Sequence, residues 1–248
     1  MALRHLTAGE ELAEVEIGDR FCHGGIVARR RSRATGRAAA EAVYDPAVIT
    51  AIVPAAGASR RMGTPKLLLP WNGTSVLGAT VAALRSGGCA RVLVVTAPGD
   101  DALRAACAAL GCEVAVNPDP ARGMLSTLWA GIATLAGAGV AAGVLPTIAV
   151  APGDLPRLSP ATVSAVLGAL AAGATLAWPR HGGQNGHPLA IASDAVPEIL
   201  TLTLSDGLRA LRDRHAQAST VVEVTDAGCV EDVDTPADYR ALLDAGRG

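Results

Sequence analysis

From residue 49 onward the chain alternates short β-branched runs with longer stretches rich in Ala and Leu. The short runs are apolar almost without interruption, the pattern of strands buried on both faces. They predict strands at 49–53, 91–96, 113–116, 147–150 and 175–178, with two more at 187–192 and 220–224. Apolar residues at helical spacing, bounded by Ser, Asp, Thr or Pro at the start, predict helices at 74–85, 100–110, 124–135, 160–171, 205–214 and 236–243. Strand then helix, repeated, requires a crossover between parallel neighbours. The fold class expected is therefore α/β: a Rossmann-like, doubly wound, mainly parallel sheet with helices on both faces. In such sheets ligands sit at the carboxyl ends of the strands.

Residues 1–46 break this rhythm. They are charge-rich, carry an Arg cluster (Arg29, Arg30, Arg31, Arg33, Arg37) and show no sustained apolar period. Two domains follow from the contrast: an N-terminal extension of unassigned role over 1–46, and a catalytic-type domain over 47–248. The Arg cluster reads either as a partner contact or as a solvated tail. The Ala/Gly-rich stretch 136–143 reads as a helix end and loop.

Composition narrows the classes. Half of the 248 residues are apolar but only 2% are aromatic, so small aliphatic side chains must fill the interior. A net charge of −2 gives no electrostatic case for nucleic acid or an anionic membrane as partner. The five cysteines (Cys22, Cys89, Cys107, Cys112, Cys229) are odd in number and lack a C-x-x-C pair, which disfavours a disulfide framework and a structural zinc site. No apolar run approaches the roughly 20 residues of a bilayer span, and acidic residues (Glu10, Glu11, Glu14, Glu16) stand where a signal peptide needs basic and apolar ones. A cytoplasmic protein with reduced thiols is expected.

The chemistry concentrates at the end of the first core strand, in Val53-Pro54-Ala55-Ala56-Gly57-Ala58-Ser59-Arg60-Arg61-Met62-Gly63-Thr64-Pro65-Lys66. Ala55, Ala56 and Gly57 are small enough for backbone N–H groups to approach a base and its phosphates. Ser59 offers a donor, and Arg61 and Lys66 offer charge for a polyphosphate. The spacing matches neither G-x-x-x-x-G-K-[ST] nor G-x-G-x-x-G. Taken alone, the loop reads as a phosphate cradle or as a tight strand-to-helix turn with exposed cations.

Other segments converge on the first reading. Asp154, in Ala151-Pro152-Gly153-Asp154-Leu155-Pro156, lies just past a buried parallel strand, where a carboxylate either holds Mg²⁺ or caps a turn. In Glu231-Asp232-Val233-Asp234-Thr235-Pro236, Thr235 reads as a helix N-cap and Pro236 as the first helical residue. That leaves Asp234 to face the crevice as a second metal ligand. Asn117 to Leu128, with Asn117, Gly123 and Ser126, opens a helix whose N-terminus and hydroxyls suit an anionic or ribose-bearing ligand. His187, after the glycine-rich turn Gly182-Gly183-Gln184-Asn185-Gly186, reads either as an acceptor-phosphate contact or as a turn histidine. Neither Ser59 nor Ser126 sits in a nucleophile elbow.

Together these segments resemble the molybdenum cofactor nucleotidyltransferases, within the larger group of sugar-phosphate and cofactor nucleotidylyltransferases. Residues 54–69 are similar to the motif L-A-A-G-x-S-x-R-M-G-x-P/N-K-x-L-L, with Pro54 in place of Leu. Residues 117–128 resemble N-P-x-x-x-x-G-M-x-S-S-L. Gly153–Pro156, Gly186–Pro188 and Asp232–Asp238 follow in the same order. The resemblance implies the nucleotide-diphospho-sugar transferase type of fold, and transfer of a nucleoside monophosphate to molybdopterin with release of pyrophosphate. It implies CTP as the nucleotide, because Ala55-Ala56 stands where guanylyltransferases carry two glycines. By the same resemblance Arg61 and Lys66 stabilise the leaving pyrophosphate and Asp154 and Asp234 hold Mg²⁺, with catalysis by positioning and electrostatics. The alternatives are transfer of guanylyl or another nucleotide to a different phosphorylated acceptor, and a non-catalytic accessory protein that carries finished cofactor to a molybdoenzyme client.

Overall fold

The computed structural model describes residues 2–4, 14–16, 48–57, 65–137 and 145–245. Ser59 and Arg61 of the cradle, the Arg cluster and most of 136–143 lie outside the described residues. Two short strands, β1 (Ala2–Arg4) and β2 (Glu14–Glu16), pair antiparallel as a separate sheet. The core strands are β3 (Thr50–Pro54), β6 (Arg91–Thr96), β7 (Glu113–Val116), β8 (Ile148–Val150), β9 (Leu176–His181), β11 (Leu189–Ile191) and β12 (Ser219–Glu223). They lie in the order β7-β6-β3-β8-β11-β9-β12. All are parallel except β11, which runs antiparallel to both of its neighbours.

The helices are α1 (Val76–Ser86), α2 (Asp101–Ala109), α3 (Met124–Gly137), α4 (Pro160–Ala171), α5 (Gly207–Arg214) and α6 (Pro236–Ala245). Their starts carry caps visible in the sequence. Ser75 Oγ accepts from the Gly78 N–H, Asp100 Oδ1 accepts from that of Leu103, and Ser159 precedes Pro160 at the first helical position. At α6, Thr235 and Asp238 bond reciprocally, each side chain accepting from the other's backbone N–H.

Because successive strand residues point to opposite faces, the register sorts the core by size. Ala51, Ala149, Ala190 and Ala177 are directly opposite one another across β3, β8, β11 and β9, forming one row of alanines. All four are fully buried in the cluster that includes α1, α2, α4 and α6. Small side chains there let α1 and α4 lie close to the sheet, which is how an interior with few aromatics reaches packing density. On the other face Ile148, Ile191 and Leu176 form the matching row, covered by α3, α5 and the 3-10 segment Val196–Thr201.

Several elements differ from the sequence expectation. The predicted helix start at Thr74 is instead strand β5 (Thr74–Ser75), which pairs with β4 (Pro70–Trp71) through Asn72-Gly73, both at positive φ. Strand β10 (Gln184–Asn185) pairs antiparallel with the end of β9, and both β10 and β11 lie on the edge of β9 opposite β12. They are two pieces of one return strand, interrupted at Gly186-His187-Pro188.

From β3 the chain builds outward through β6 to β7, then crosses to β8 on the other side of β3. The order therefore reverses between β3 and β8. In doubly wound sheets ligands bind beyond the strands' carboxyl ends at such a switch point.

Candidate active site

The loop after β3 stays anchored where it begins: the Ala55 N–H donates to the Val95 carbonyl at 2.9 Å. Ala55 and Ala56 are buried, and Gly57 is exposed with open space where a Cβ would stand. The chain re-enters the described residues at Pro65 and forms a 3-10 turn, Lys66–Leu68, pinned by buried Leu67. The turn fixes the Lys66 backbone and lets its side chain reach Asp154 and Asp234.

On the opposite wall Asp154 is held through its neighbours. Thr80 of α1, fully buried, donates its hydroxyl to the Gly153 carbonyl at 3.1 Å. Gly153 fits because a Cβ would lie 3.1–3.3 Å from Leu77, Val53 and Leu67. The Val233 N–H donates to the Asp154 carbonyl at 3.0 Å. Val233 itself is fully buried, whereas Asp232 is exposed and Asp234 half-buried, and the two flanking carboxylates lie close to that of Asp154.

These constraints converge on one charge cluster. Lys66 Nζ lies 2.5 Å from Asp154 Oδ2 and 2.9 Å from Asp234 Oδ1. Asp154, Asp232 and Asp234 each offer a carboxylate oxygen, and the three lie within 4.8 Å of one another. Asp154 Oδ1 is buried with no hydrogen-bond partner among the described residues. Burial is the largest single influence on Lys66 and pulls its pKa down, but bonds and attraction from Asp154 and Asp234 outweigh it and hold the pKa above its usual value. Burial, then repulsion from Asp234 and Asp154, pushes the Asp232 carboxyl up. A hard oxygen cage with an unpartnered oxygen and a resisted negative charge fits a divalent cation. Beside it opens a recess of about 400 Å³ lined by Glu231, Asp232, Asp234, Thr235, Asp238, Ala241 and Leu242. Its carboxylates attract cations and repel a bare polyphosphate.

The remaining predicted residues occupy two flanking positions. Asn117 and Ser126, both buried after β7, bond to each other at 3.0 Å. Asn117 Nδ2 also reaches Thr127 Oγ1, and the Ser126 hydroxyl donates to the Gly123 carbonyl. Their polar atoms hold the loop shape, with exposed Gly123 at φ 87 at the helix entrance. His187 sits at the break between β10 and β11, its N–H donating to the Cys229 carbonyl at 2.8 Å. Gly186 is required there, since a Cβ would fall 2.6 Å from the Cys229 oxygen. His187 is partly buried, with Nδ1 enclosed and unpartnered among the described residues. Burial holds it below its ordinary pKa against the opposing pull of the Val150 carbonyl and Asp154.

Lys66, Asp154 and Asp234 thus meet, His187 lies within electrostatic range of Asp154, and Asn117, Gly123 and Ser126 form a separate group two strands away. Sequence reasoning passed over Asp232 and Thr80. The spacing of Asp232 and Asp234 on an extended segment was a usable signal for the first; nothing local marked the second.

Residues 51–219 match the profile of the MobA-like NTP transferase domain. The chain is 30% identical over 204 residues to nicotine blue oxidoreductase of Paenarthrobacter nicotinovorans, covering 79% of this chain and 96% of that protein. It is 27% identical over 196 residues to molybdenum cofactor cytidylyltransferase of Escherichia coli strain K12, covering 77% and 93%. Among solved structures, Rv0371c of Mycobacterium tuberculosis H37Rv in complex with manganese superposes with a TM-score of 0.62 at 30% identity, covering 79% of this chain and 98% of that one. On the match over most of its length, this chain belongs to the MobA-like NTP transferase family.

Proposed function

We propose that this protein is a Mg²⁺-dependent nucleotidyltransferase that moves CMP from CTP to the terminal phosphate of molybdopterin and releases pyrophosphate. The observation that carries the reading is the Lys66–Asp154–Asp234 cluster formed by the segments that follow β3, β8 and β12. A relative that is a molybdenum cofactor cytidylyltransferase, and a similar structure that holds manganese, support it.

An acceptor phosphate oxygen attacks the α-phosphorus, the bond from that phosphorus to the bridging oxygen breaks, and pyrophosphate departs with the electron pair. The protein's part is to hold the groups in line and to neutralise charge. Lys66 and Arg61 bind the β and γ phosphates as negative charge grows on them. Ala55, Ala56, Gly57 and Ser59 form the cradle for base and phosphates, and Asn117 and Gly123 shape the ribose side. Ser126, through the loop it holds, and His187 orient the acceptor. Asp154 and Asp234, with Asp232 beside them, would hold Mg²⁺, which would supply charge neutralisation for the phosphate transfer. No covalent enzyme intermediate is needed.

Pyrophosphate release from CTP and from GTP, each with molybdopterin and Mg²⁺, tests the assignment. CTP should be turned over at least tenfold faster than GTP. Equal or inverted rates would remove the cytidylyl assignment, and no release with any nucleotide would remove the transferase one.

The nicotine blue oxidoreductase relative favours a second reading, in which this chain is itself an oxidoreductase or an accessory protein to one. Tight binding of a cytosine dinucleotide of molybdopterin without turnover would support a carrier role for a molybdoenzyme client.

A further inference from the structure

Of the 21 lysines and arginines in the chain, Lys66 is the sole lysine. Every other cationic position carries Arg, yet the position that reaches both Asp154 and Asp234 carries the one compact ammonium. The two side chains are not equivalent. A guanidinium is a planar fork that locks onto carboxylates bidentately, whereas an ammonium is a small point charge on a flexible stem. A point charge among hard oxygens, on a stem that can swing, resembles a metal ion in what it does there, and a stronger cation can displace it.

The crowding of the site points the same way. Lys66 takes Oδ2 of Asp154 and Oδ1 of Asp234, the carboxylates a divalent ion would use, and the other Asp154 oxygen is buried without a hydrogen-bond partner among the described residues. A divalent ion of the magnesium kind draws its oxygens to roughly 2.1 Å, inside the ammonium distances. Two cations sharing these oxygens also repel each other. The Lys66 backbone is fixed in its 3-10 turn, so only the side chain can yield.

We propose that Lys66 and the divalent cation exchange on the Asp154–Asp234 pair: metal entry displaces the ammonium, which swings to the triphosphate. Metal and nucleotide then bind cooperatively, and without metal the lysine stays clamped to the carboxylates. The inference rests on the metal-dependent transferase reading and adds an order of events to it.

A single lysine makes the test direct. Protein labelled with ¹⁵N only in lysine gives one side-chain ammonium resonance. Titration with Mg²⁺ should move or broaden it in step with metal binding measured by calorimetry, and added pyrophosphate should bring it to a third position. Separately, Mn²⁺ affinity read from the free-ion electron paramagnetic resonance signal should rise about tenfold in Lys66→Met, because a competing charge is gone. A resonance unchanged at saturating Mg²⁺, an absence of Mg²⁺ binding, or weaker Mn²⁺ binding in Lys66→Met each overturns the exchange. Pyrophosphate release with an immobile resonance sinks the exchange alone, whereas an exchanging lysine in a protein that releases no pyrophosphate sinks the transferase reading alone.

Discussion

The backbone N–H of Val233 donates to the carbonyl of Asp154 across 3.0 Å, joining two segments 79 positions apart in the sequence. That bond, with the burial of Val233, sets Asp232 and Asp234 beside the Asp154 carboxylate. The acidic wall is therefore a product of backbone geometry rather than of attraction among its carboxylates, which repel. A cation supplies what the backbone cannot, and in this structure that cation is Lys66.

Thr80 is the buried support of the same wall. Its hydroxyl bonds to the carbonyls of Gly153 and Val76, so Thr80→Val leaves the Gly153 carbonyl unsatisfied. The cost should be about 1–3 kcal/mol in urea unfolding, with Mg²⁺ affinity falling several-fold, while Thr80→Ser stays near wild type. Unchanged Mg²⁺ affinity in a folded Thr80→Val protein would count against its supporting role.

Gly186 has no room for a side chain. Gly186→Ala should destabilise the fold by about 1–3 kcal/mol, because the atom it meets is the Cys229 backbone and cannot rotate aside. A urea midpoint matching wild type would show that the β10–β11 break relaxes more easily than its packing implies.

His187 gives a pH dependence with a definite sign. Its folded-state pKa lies below the ordinary 6.5, so the unfolded chain takes up a proton that the folded chain resists. Both forms are neutral well above 6.5, and there is no penalty there. As pH falls through 6.5 toward the folded-state value, stability should decline, and His187→Asn should flatten part of that slope. Identical stability-versus-pH curves for the two proteins would remove His187 as the source.

The buried thiols should be unreactive. Burial pushes Cys89 and Cys107 up to about 12, and Cys229 to about 11. Iodoacetamide at pH 8 should modify these three at least tenfold more slowly in the native protein than in urea, read by peptide mass spectrometry. Rapid native alkylation of Cys89 or Cys107 would contradict their enclosure.

Much of this was readable in the residues because the signals are local. Strand–helix alternation is a repeated periodic pattern, and Ser159-Pro160 and Thr235-Pro236 cap their helices as their chemistry demands. Lys66, Asp154 and Asp234 were readable because parallel strands all deliver their following loops to one end. What depends on register or direction was not. Three apolar residues at Leu189–Ile191 do not say which way the strand runs, and the row of Ala51, Ala149, Ala190 and Ala177 exists only once four strands are aligned. Asn72-Gly73 is a hairpin signal, but strands of two residues on either side gave no period to recognise. Thr80 looks like any helical threonine until Gly153 is placed against it.

Pyrophosphate release by wild-type protein with CTP, molybdopterin and Mg²⁺, compared with Lys66→Met and Asp154→Asn under the same conditions, tests the Lys66–Asp154–Asp234 cluster most directly. Loss of either charge should lower kcat/KM by about 10³-fold or more in each variant. Variants that keep release within threefold of wild type would contradict the assignment of this crevice as the catalytic centre.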